Sequence, residues 1–349
     1  MSTPKDTDGV AIDRSTAQAP PPWIQRQLTT LLQQGGHAWL LAGPSGVGQF
    51  RLGLEMVRAW LCDTPTPQGA CGHCQSCHAI DVHAHTDLLL LMPETIALEL
   101  GWPLSEDAQK KIDDKERKPS KEIRVEAMRD AVEFAQRTSG RGRGKAVLVY
   151  PAERMNTITA NTLLKTLEEP PGDLKFVLAS ESAHQLLPTI RSRCLGHTMF
   201  WPAEAESLHW LASQGLTPPQ AQTLLRAAGG RPQDAQRYFA EGLQPASWEA
   251  LPKALQRGDL AALKDWSPTQ AVDALHKLCH DLIAVKSGAA GRFFAPASLP
   301  AGTWTSLRPL TAWAKSLSQT RRTVEHPFNA GLMLEALVSE AKTAINSRA

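Results

Sequence analysis

Residues 43–50 read Gly-Pro-Ser-Gly-Val-Gly-Gln-Phe and lie between an apolar run at 37–42 and a helical pattern at 52–61. A strand, a glycine-rich turn and a helix in this order form the phosphate-binding loop G-x-x-x-x-G-K-[ST], whose backbone N–H groups surround the phosphates of a nucleotide. An ordinary Gly/Pro turn between a strand and a helix is the alternative interpretation. The stretch predicts an α/β architecture of the nucleotide-binding kind.

Two side chains that a working loop needs are replaced. The lysine of the pattern reaches the β- and γ-phosphate oxygens, and the hydroxyl after it binds magnesium. Gln49 stands at the lysine position and Phe50 at the hydroxyl position. A neutral amide cannot offset the charge of a triphosphate, and a phenyl ring offers magnesium no oxygen. The candidate cofactor-binding residues of this degenerate loop are Gly43, Gly46, Gly48, Gln49 and Phe50, and we do not expect them to bind ATP.

A second part of the nucleotide machinery is also altered. In ATPases with this loop, a later strand ends in acidic residues that hold magnesium and orient water. The matching strand at 147–149 ends in Tyr150 and Pro151, neither of which can bind a metal or orient water as a base. Glu153 lies two or three residues too far along, and we interpret it as a carboxylate at the surface or at the start of a helix. Both defects predict loss of hydrolysis.

Four cysteines follow the loop helix with the spacing C-x8-C-x2-C-x2-C. Two-residue gaps aim thiolates at one tetrahedral ion, and four thiolates make a closed structural zinc site. Disulfides are the competing interpretation, but a cytosolic compartment disfavours them. Four nearby histidines (His73, His78, His83 and His85) could replace a ligand, although four thiolates suffice. The predicted zinc ligands are Cys62, Cys71, Cys74 and Cys77.

Bulk composition limits the protein class. The chain has 349 residues, enough for two or three domains, and 42% of them are hydrophobic. A formal net charge of only +2 argues against a dedicated nucleic-acid binder with a strongly basic face. No apolar run approaches the roughly 18 residues of a membrane span, and the start lacks a signal peptide. We expect a cytoplasmic protein with a loose polar tail at 1–22.

Apolar runs and helical patterns alternate through the first 200 residues. Strand-like runs at 87–92, 146–150 and 176–180 are separated by helical patterns at 123–135 and 156–168. This alternation predicts a parallel sheet covered by helices on both faces. Residues 94–121 are polar and charged, which is typical of a surface insertion. Beyond about residue 200 the strand signals fade and helical patterns take over.

A basic glycine-rich turn at 141–145 reads Arg-Gly-Arg-Gly-Lys. It could contact the phosphates of DNA, or it could be a solvated turn between a helix and a strand. Both interpretations stay open at this stage.

Three segments taken together resemble one family. They are the glycine loop with its cysteine cluster, the stretch at 161–171 (NTLLKTLEEPP) and the stretch at 187–194 (LPTIRSRC). Their combination closely resembles the clamp-loader branch of the AAA+ family, over roughly residues 22–240. The catalytic gamma/tau subunits of that branch share the cysteines and both late motifs, so the loop defects favour a non-hydrolysing member. The family motif G-x-x-R-D-A appears at 230–235 with Gln233 in place of its arginine, which also weakens nucleotide sensing.

The resemblance assigns a role to the S-R-C triplet. In this family its arginine projects into the ATP site of the neighbouring subunit, so Arg193 is the candidate catalytic residue in trans, an arginine finger. Ser192 and Cys194 are expected to set the backbone and to pack the turn that holds it. A surface salt bridge is the alternative interpretation of Arg193, and Arg191 is a weaker candidate on the same turn.

The resemblance also implies an architecture of three domains. We expect an α/β AAA+ domain at 1–200 with a parallel sheet, a degenerate P-loop and a zinc module at 62–77. A helical lid domain at 201–242 and an all-α collar domain for oligomerisation at 243–349 would follow.

The implied function is that of a non-hydrolysing stator subunit of the DNA polymerase III sliding-clamp loader. Its partners would be gamma/tau ATPase subunits and a delta subunit in a hetero-oligomeric ring, and indirectly the sliding clamp and primer-template DNA. The alternatives are a regulatory subunit that binds nucleotide without cleaving it, an active ATPase with an unusual loop, and a free-standing zinc-finger module that binds nucleic acid.

Overall fold

A computed structural model describes residues 19–264, 266–300, 306–324 and 329–347. The chain divides into two compact units, Met1–Glu206 and Ser207–Ala349. Most of the tail expected at 1–22 lies outside the described residues. The finer domain boundaries near residues 200 and 242 stay predictions.

A parallel sheet forms the centre of the first unit, as the alternation of patterns predicts. Within the described residues it has five strands in the order β2-β3-β4-β1-β5, and all neighbouring strands pair in parallel. The central strands are near-continuous apolar runs because helices cover both faces. The strands are β1 (Ala38–Ala42), β2 (Leu88–Leu91), β3 (Lys145–Val149), β4 (Leu174–Ser180) and β5 (Leu195–Thr198).

The edge strand β5 is missing from the sequence-based expectation. It reads Leu-Gly-His-Thr and is mostly exposed, so it carries neither an apolar run nor a regular alternation. Its position is fixed by pairing with β1, in the register Trp39 to Leu195.

The helices of the first unit agree with the predicted patterns at 52–61, 123–135 and 156–168. The last of these begins where the Asn156 side chain accepts the N–H of Thr159 at 3.0 Å, and it ends before Pro170. Two 3₁₀ turns accompany the helices, at Ala152–Arg154 and Ala183–Gln185. The helices are α1 (Pro22–Leu32), α2 (Gln49–Leu61), α3 (Gln75–Asp81), α4 (Glu94–Glu99), α5 (Glu106–Asp113), α6 (Val125–Gln136), α7 (Thr157–Glu168) and α8 (Pro188–Arg191).

The charged segment at 94–121 contains α4 and α5 and is tied back to the domain. The Glu94 carboxylate accepts two hydrogen bonds from Arg117, at 2.5 and 2.7 Å, and one from the N–H of Ser120 at 2.8 Å. The segment is therefore an ordered insertion whose two ends are held by one buried carboxylate.

The described part of the second unit is helical. Two apolar cores hold it together, one around Leu211, Leu224 and Ala235 and a larger one that includes the buried Trp248 and Trp313. A 3₁₀ turn spans Leu260–Leu263. The helices are α9 (Glu204–Ser213), α10 (Pro218–Ala227), α11 (Pro232–Ala240), α12 (Pro245–Arg257), α13 (Pro268–Lys286), α14 (Leu307–Thr323) and α15 (Ala330–Asn346).

The basic turn before β3 is held by the buried carboxylate of Asp87. That carboxylate accepts the N–H of Gly140 at 2.7 Å, the N–H of Arg141 at 2.9 Å and the hydroxyl of Ser139 at 3.0 Å. These three bonds give an acceptor to polar groups of a segment that lies between α6 and β3, outside both the helix and the sheet.

Two cations of the same turn already have protein partners. The Lys145 ammonium donates to backbone carbonyls at the C-terminal end of α6, including those of Phe134 at 2.7 Å and Ala135 at 2.6 Å. A guanidinium nitrogen of Arg141 lies 3.3 Å from Gln75 Oε1 and 3.8 Å from Asp63 Oδ2. The turn therefore has a structural role, and contact with DNA stays untested.

We expect Asp87→Ala to lower the free energy of unfolding by about 3 kcal/mol, because three donors lose a charged acceptor. Urea unfolding of the purified chain measures this. Asp107→Ala, which removes an exposed carboxylate on α5, serves as the control and should cost less than about 1 kcal/mol. Equal effects of the two substitutions would contradict the role of Asp87.

Candidate functional site

The glycine loop between β1 and α2 has the backbone of a phosphate-binding turn. Gly46 and Gly48 adopt φ angles of 75° and 104°, a left-handed region that other residues rarely enter. A Cβ at Gly43 would lie 2.7 Å from the Cβ of Met199. Glycine is therefore required at positions 46 and 48 by the backbone conformation, and at position 43 by the close approach of Met199.

The Gln49 side chain closes this loop from within. Its amide nitrogen donates to the carbonyl of Gly43 at 2.5 Å and to the carbonyl of Pro44 at 2.6 Å, and the residue is only 2% exposed. The lysine of a working loop points its ammonium at phosphate oxygens instead. The side chain that would bind a phosphate is therefore committed to the loop itself.

Phe50 and Tyr150, which occupy the positions of the hydroxyl and the acidic residue in the ATPase pattern, pack against each other. The ring centroids of Phe50 and Tyr150 are 5.2 Å apart, and the Tyr150 hydroxyl donates to Glu181 Oε1 at 3.1 Å. Burial, with the nearby Glu181 carboxylate, raises the pKa of Tyr150 well above its usual value. Tyr150 is therefore a neutral phenol, which makes it a poor metal ligand.

Glu153 is held at the end of β4 rather than free at the surface. It lies half-buried in the 3₁₀ turn after β3, and its carboxylate accepts the Ser180 hydroxyl at 2.8 Å and the N–H of Glu181 at 3.1 Å. Both carboxylate oxygens thus organise the loop after β4. Of the two expected positions, the surface and the start of a helix, the second agrees with its place in the 3₁₀ turn, whereas its hydrogen-bond partners 27 and 28 residues away were not predicted.

The four predicted metal ligands lie together at the far end of α2. Their sulfur atoms are all within 4.8 Å of one another, and they form the one such group of His, Cys, Asp or Glu ligands found among the described residues. Individual Sγ–Sγ distances are 3.8 Å from Cys62 to Cys74, 3.8 Å from Cys62 to Cys77 and 4.0 Å from Cys71 to Cys77. Four sulfurs at 2.3 Å from one ion in a tetrahedron would be about 3.8 Å apart.

Local backbone geometry supports thiolate character in this cluster. The N–H of Cys71 points at the sulfur of Cys62, 3.3 Å away, and the N–H of Cys77 points at the sulfur of Cys74, 3.4 Å away. Such bonds stabilise metal-bound thiolates. Cys62 directly follows α2, and Cys74 and Cys77 begin α3, so the four residues can hold one metal ion that would join the two helices.

Arg193 lies just after the short helix α8, with its side chain 30% exposed. Its guanidinium donates from Nε to Glu168 Oε1 at 2.6 Å, from a terminal nitrogen to the same oxygen, and from the other terminal nitrogen to the Thr189 carbonyl at 2.8 Å. The candidate arginine finger is therefore on the surface, with an ordered orientation. Glu168 ends α7 and belongs to the motif at 161–171.

The two neighbours of Arg193 take different parts in this turn. The Ser192 hydroxyl donates to the Thr189 carbonyl at 3.2 Å. Cys194 packs half-buried against the core beneath the sheet, and its burial raises the pKa of the thiol to about 11. The roles expected of Ser192 and Cys194 in setting and packing the turn stay predictions.

The motif at 230–235 lies at the start of α11 in the second unit. Arg231 donates from Nε to the Ala228 carbonyl at 2.7 Å and pairs with Asp234 at 3.0 Å. Arg231, two positions before Gln233, therefore has acceptors within its own unit.

The structure brings the predicted residues of the nucleotide site together, whereas Arg193 has other contacts. The glycine loop, Tyr150 and Glu153 meet at the carboxyl ends of β1, β3 and β4, where ligands bind in parallel sheets. The recorded contacts of Arg193 are instead with Glu168 and Thr189. Sequence reasoning missed Glu168 and Glu181 as partners because neither contact is local in the chain.

A parallel sheet with this loop after its first strand defines a P-loop-type α/β protein, and comparisons narrow the class. The family described as "DNA polymerase III, delta subunit" matches residues 22–199. The DNA polymerase III subunit delta' of Pseudomonas aeruginosa is 37% identical over 227 residues, 64% of this chain and 62% of that protein. The subunit delta' of Escherichia coli is 30% identical over 278 residues, 73% of this chain and 76% of that protein.

A related subunit also matches. The DNA polymerase III subunit tau of Escherichia coli is 31% identical over 245 residues, 68% of this chain but only 34% of that protein. The chain belongs to the family of DNA polymerase III delta-prime subunits, which confirms the expected clamp-loader relationship. No described helix has the length and apolar character needed to cross a membrane.

We expect Gln49→Glu to lower the free energy of unfolding by about 2 kcal/mol, because an acceptor-only group would face two carbonyl oxygens. The two side chains have nearly the same shape, so the substitution isolates hydrogen-bond donation from packing. Urea unfolding measures the change, with the exposed Gln222→Glu on α10 as the matched control. Equal stability of the Gln49 variant and the control would refute the closure of the loop by this amide.

Proposed function

We propose that this chain is the non-hydrolysing stator subunit of a DNA polymerase III sliding-clamp loader, and that it donates Arg193 to the ATP site of a neighbouring subunit. The observation that carries the proposal is the contrast between two sites on one domain. The nucleotide loop is closed by its own Gln49 side chain, whereas the Arg193 guanidinium is ordered and accessible on the surface.

Loss of intrinsic ATPase activity is supported by two independent defects. The cation that would neutralise the β- and γ-phosphates is replaced by a buried amide, and the positions of the magnesium-binding residues are taken by Phe50 and Tyr150, whose rings contact each other. Phosphoryl transfer depends on positioning and on stabilising the charge of the transferring group. A loop without its lysine and without magnesium ligands therefore lacks most of what catalysis requires. ATP binding to this loop is not part of the proposed function.

The energetics of Arg193 suit a residue that acts on another subunit. Its pair with Glu168 lies at the surface, where such pairs contribute about 0–1 kcal/mol. An arginine finger on a transferring phosphate accelerates hydrolysis by about 10³–10⁵-fold, which corresponds to roughly 4–7 kcal/mol. A neighbouring triphosphate can therefore attract this guanidinium without a large cost in leaving or sharing Glu168.

The partners follow from the relatives' names and from family membership. Delta-prime and tau subunits of DNA polymerase III both align with this chain, so the proposed neighbours are gamma/tau ATPase subunits and a delta subunit in a hetero-oligomeric ring. The lid at 201–242 and the collar at 243–349 would supply ring contacts. The sliding clamp and primer-template DNA would be reached through the assembled loader, in the cytoplasm.

The cysteine cluster is proposed to bind one structural zinc ion. Four sulfurs at near-tetrahedral separations leave no open position for substrate or water, which favours a structural role over a catalytic one. Because Cys62 ends the helix that begins at the glycine loop, the ion would stabilise that helix from its far end.

We expect Arg193→Ala to leave assembly intact and to lower ATP turnover at the adjoining site by about 10³-fold or more, because growing charge on the phosphate loses its cation. Single-turnover hydrolysis and clamp loading by the reconstituted complex measure the effect. Arg193→Lys should recover only a small part, since an ammonium lacks the planar fork of donors. Arg191→Ala, on the same turn, is the comparison. An unchanged rate in Arg193→Ala would remove the arginine-finger assignment.

We expect the purified chain to contain one zinc ion, and Cys77→Ser to lose it, since one of four ligands disappears. Elemental analysis measures the metal, and limited proteolysis should show faster cleavage within residues 62–77 after chelation, because zinc contributes on the order of 10 kcal/mol to small modules. Cys279→Ser, a buried thiol in the second unit, should keep full zinc content. Absence of stoichiometric zinc from the unmodified chain would contradict the assignment.

A further inference from the structure

The guanidinium of Arg193 is bound along one edge by a single carboxylate oxygen. Nε and one terminal nitrogen both donate to Glu168 Oε1, the former at 2.6 Å, while the other terminal nitrogen donates to the Thr189 carbonyl at 2.8 Å. A guanidinium has five N–H groups in one plane. Three are therefore committed, and each terminal nitrogen keeps one N–H for a further acceptor.

Because Nε and one terminal nitrogen share Glu168 Oε1 along the side edge, the second N–H of that terminal nitrogen points to the end of the guanidinium farthest from the backbone. Arginine meets phosphate through pairs of N–H groups in this fork arrangement. Glu168 takes the Nε edge and does not itself cover the end of the guanidinium. The contact thus fixes the plane of the group while leaving available the donors that a phosphate would need.

The position of Glu168 has no explanation in helix stability. It is the last residue of α7, and a carboxylate at the C-terminal end of a helix faces the negative end of the helix dipole. Its recorded partner is Arg193, 25 residues further along the chain. The carboxylate is thus placed where it disfavours its own helix and orients a guanidinium on the next element.

We propose that Glu168 is the positioning residue for the arginine finger, an inference that rests on the proposed function of Arg193. A free arginine side chain samples many rotamers, and fixing it costs conformational entropy at the moment of catalysis. Because Glu168 and the Thr189 carbonyl already hold the guanidinium in one plane, less conformational entropy is lost when it meets the phosphate. Small errors in placement reduce rates strongly, so such orientation contributes to turnover at the neighbouring site.

The opposite role would be a carboxylate that withholds the arginine until assembly. A withholding carboxylate would cover the fork of the guanidinium, because those donors must be freed for phosphate. Glu168 occupies the side edge instead, which favours positioning. The two roles predict opposite signs, since removal of a withholding group would raise turnover and removal of a positioning group lowers it.

The test uses the complete reconstituted clamp-loader complex carrying Glu168→Ala, Glu168→Gln or the matched control Glu169→Ala. Glu169 is the adjacent exposed carboxylate and has no recorded bond to Arg193. We expect Glu168→Ala to lower the single-turnover rate constant at saturating ATP about tenfold, with less than a twofold change in the ATP concentration at half-saturation. Glu168→Gln, whose amide oxygen still accepts both N–H groups, should keep at least half of the rate, and Glu169→Ala should match the unmodified complex.

A further variant, Glu168→Asp, keeps the test valid if Glu168→Ala does not fold. Glu168→Asp keeps the charge but withdraws the carboxylate by about 1.5 Å, and it should lower the rate threefold or more. In the isolated chain, the ¹⁵N–¹H signal of Arg193 Nε should exchange faster with water in the Asp and Ala variants than in the Gln variant. A purely structural carboxylate would not produce this order.

The outcomes separate the two proposals. If Arg193→Ala slows hydrolysis while Glu168→Ala and Glu168→Asp equal or exceed the unmodified rate, the positioning role is overturned and the arginine finger stands. If Arg193→Ala itself leaves hydrolysis unchanged, the proposed function fails first. Equal loss in Glu168→Ala and Glu169→Ala would also overturn the inference, because it would show a general effect of charge at the end of α7.

Discussion

The hydrogen bonds from the Gln49 amide to the carbonyls of Gly43 and Pro44 hold the glycine loop between β1 and α2 closed. They replace an interaction between a lysine and a bound phosphate by one that the chain makes with itself. The same bonds support a loop in which Gly46 and Gly48 adopt left-handed φ angles. The Trp23 indole adds a further bond from outside, donating to the Val47 carbonyl at 2.9 Å.

Helix α2 connects this closed loop with the cysteine cluster. The helix begins at Gln49, whose amide bonds the loop, and it ends immediately before Cys62, the first of the four clustered cysteines. In an active ATPase the bound triphosphate would contribute to the order of the same segment. If the cysteines bind the proposed zinc ion, the helix would be held at both ends, which would suit the proposed subunit that presents a fixed surface to a neighbour.

The sequence predicted those features that depend on local patterns. Strands β1 to β4 are apolar runs, the glycines occupy backbone positions that require them, and the cysteine spacing brought four sulfurs together. Family motifs pointed to Arg193, whose role stays a proposal.

Features that depend on distant partners escaped prediction. Strand β5 exists because it pairs with β1, not because of its own composition. The partners of Glu153 and Arg193 lie more than 20 residues away, and nothing in the sequence indicated that Gln49 would fold back on its own loop. Such contacts are decided by the tertiary arrangement, which a single sequence does not display.

In the proposed function, hydrolysis is divided between two subunits, one that holds ATP and one that completes its site. A structure of the assembled complex with a non-hydrolysable ATP analogue tests this division most directly. We expect the Arg193 guanidinium to lie within about 3 Å of a phosphate oxygen bound by the neighbouring subunit, while this chain's own loop still contains the Gln49 amide. Nucleotide bound in this chain's loop, or an Arg193 side chain turned away from every triphosphate, would contradict it.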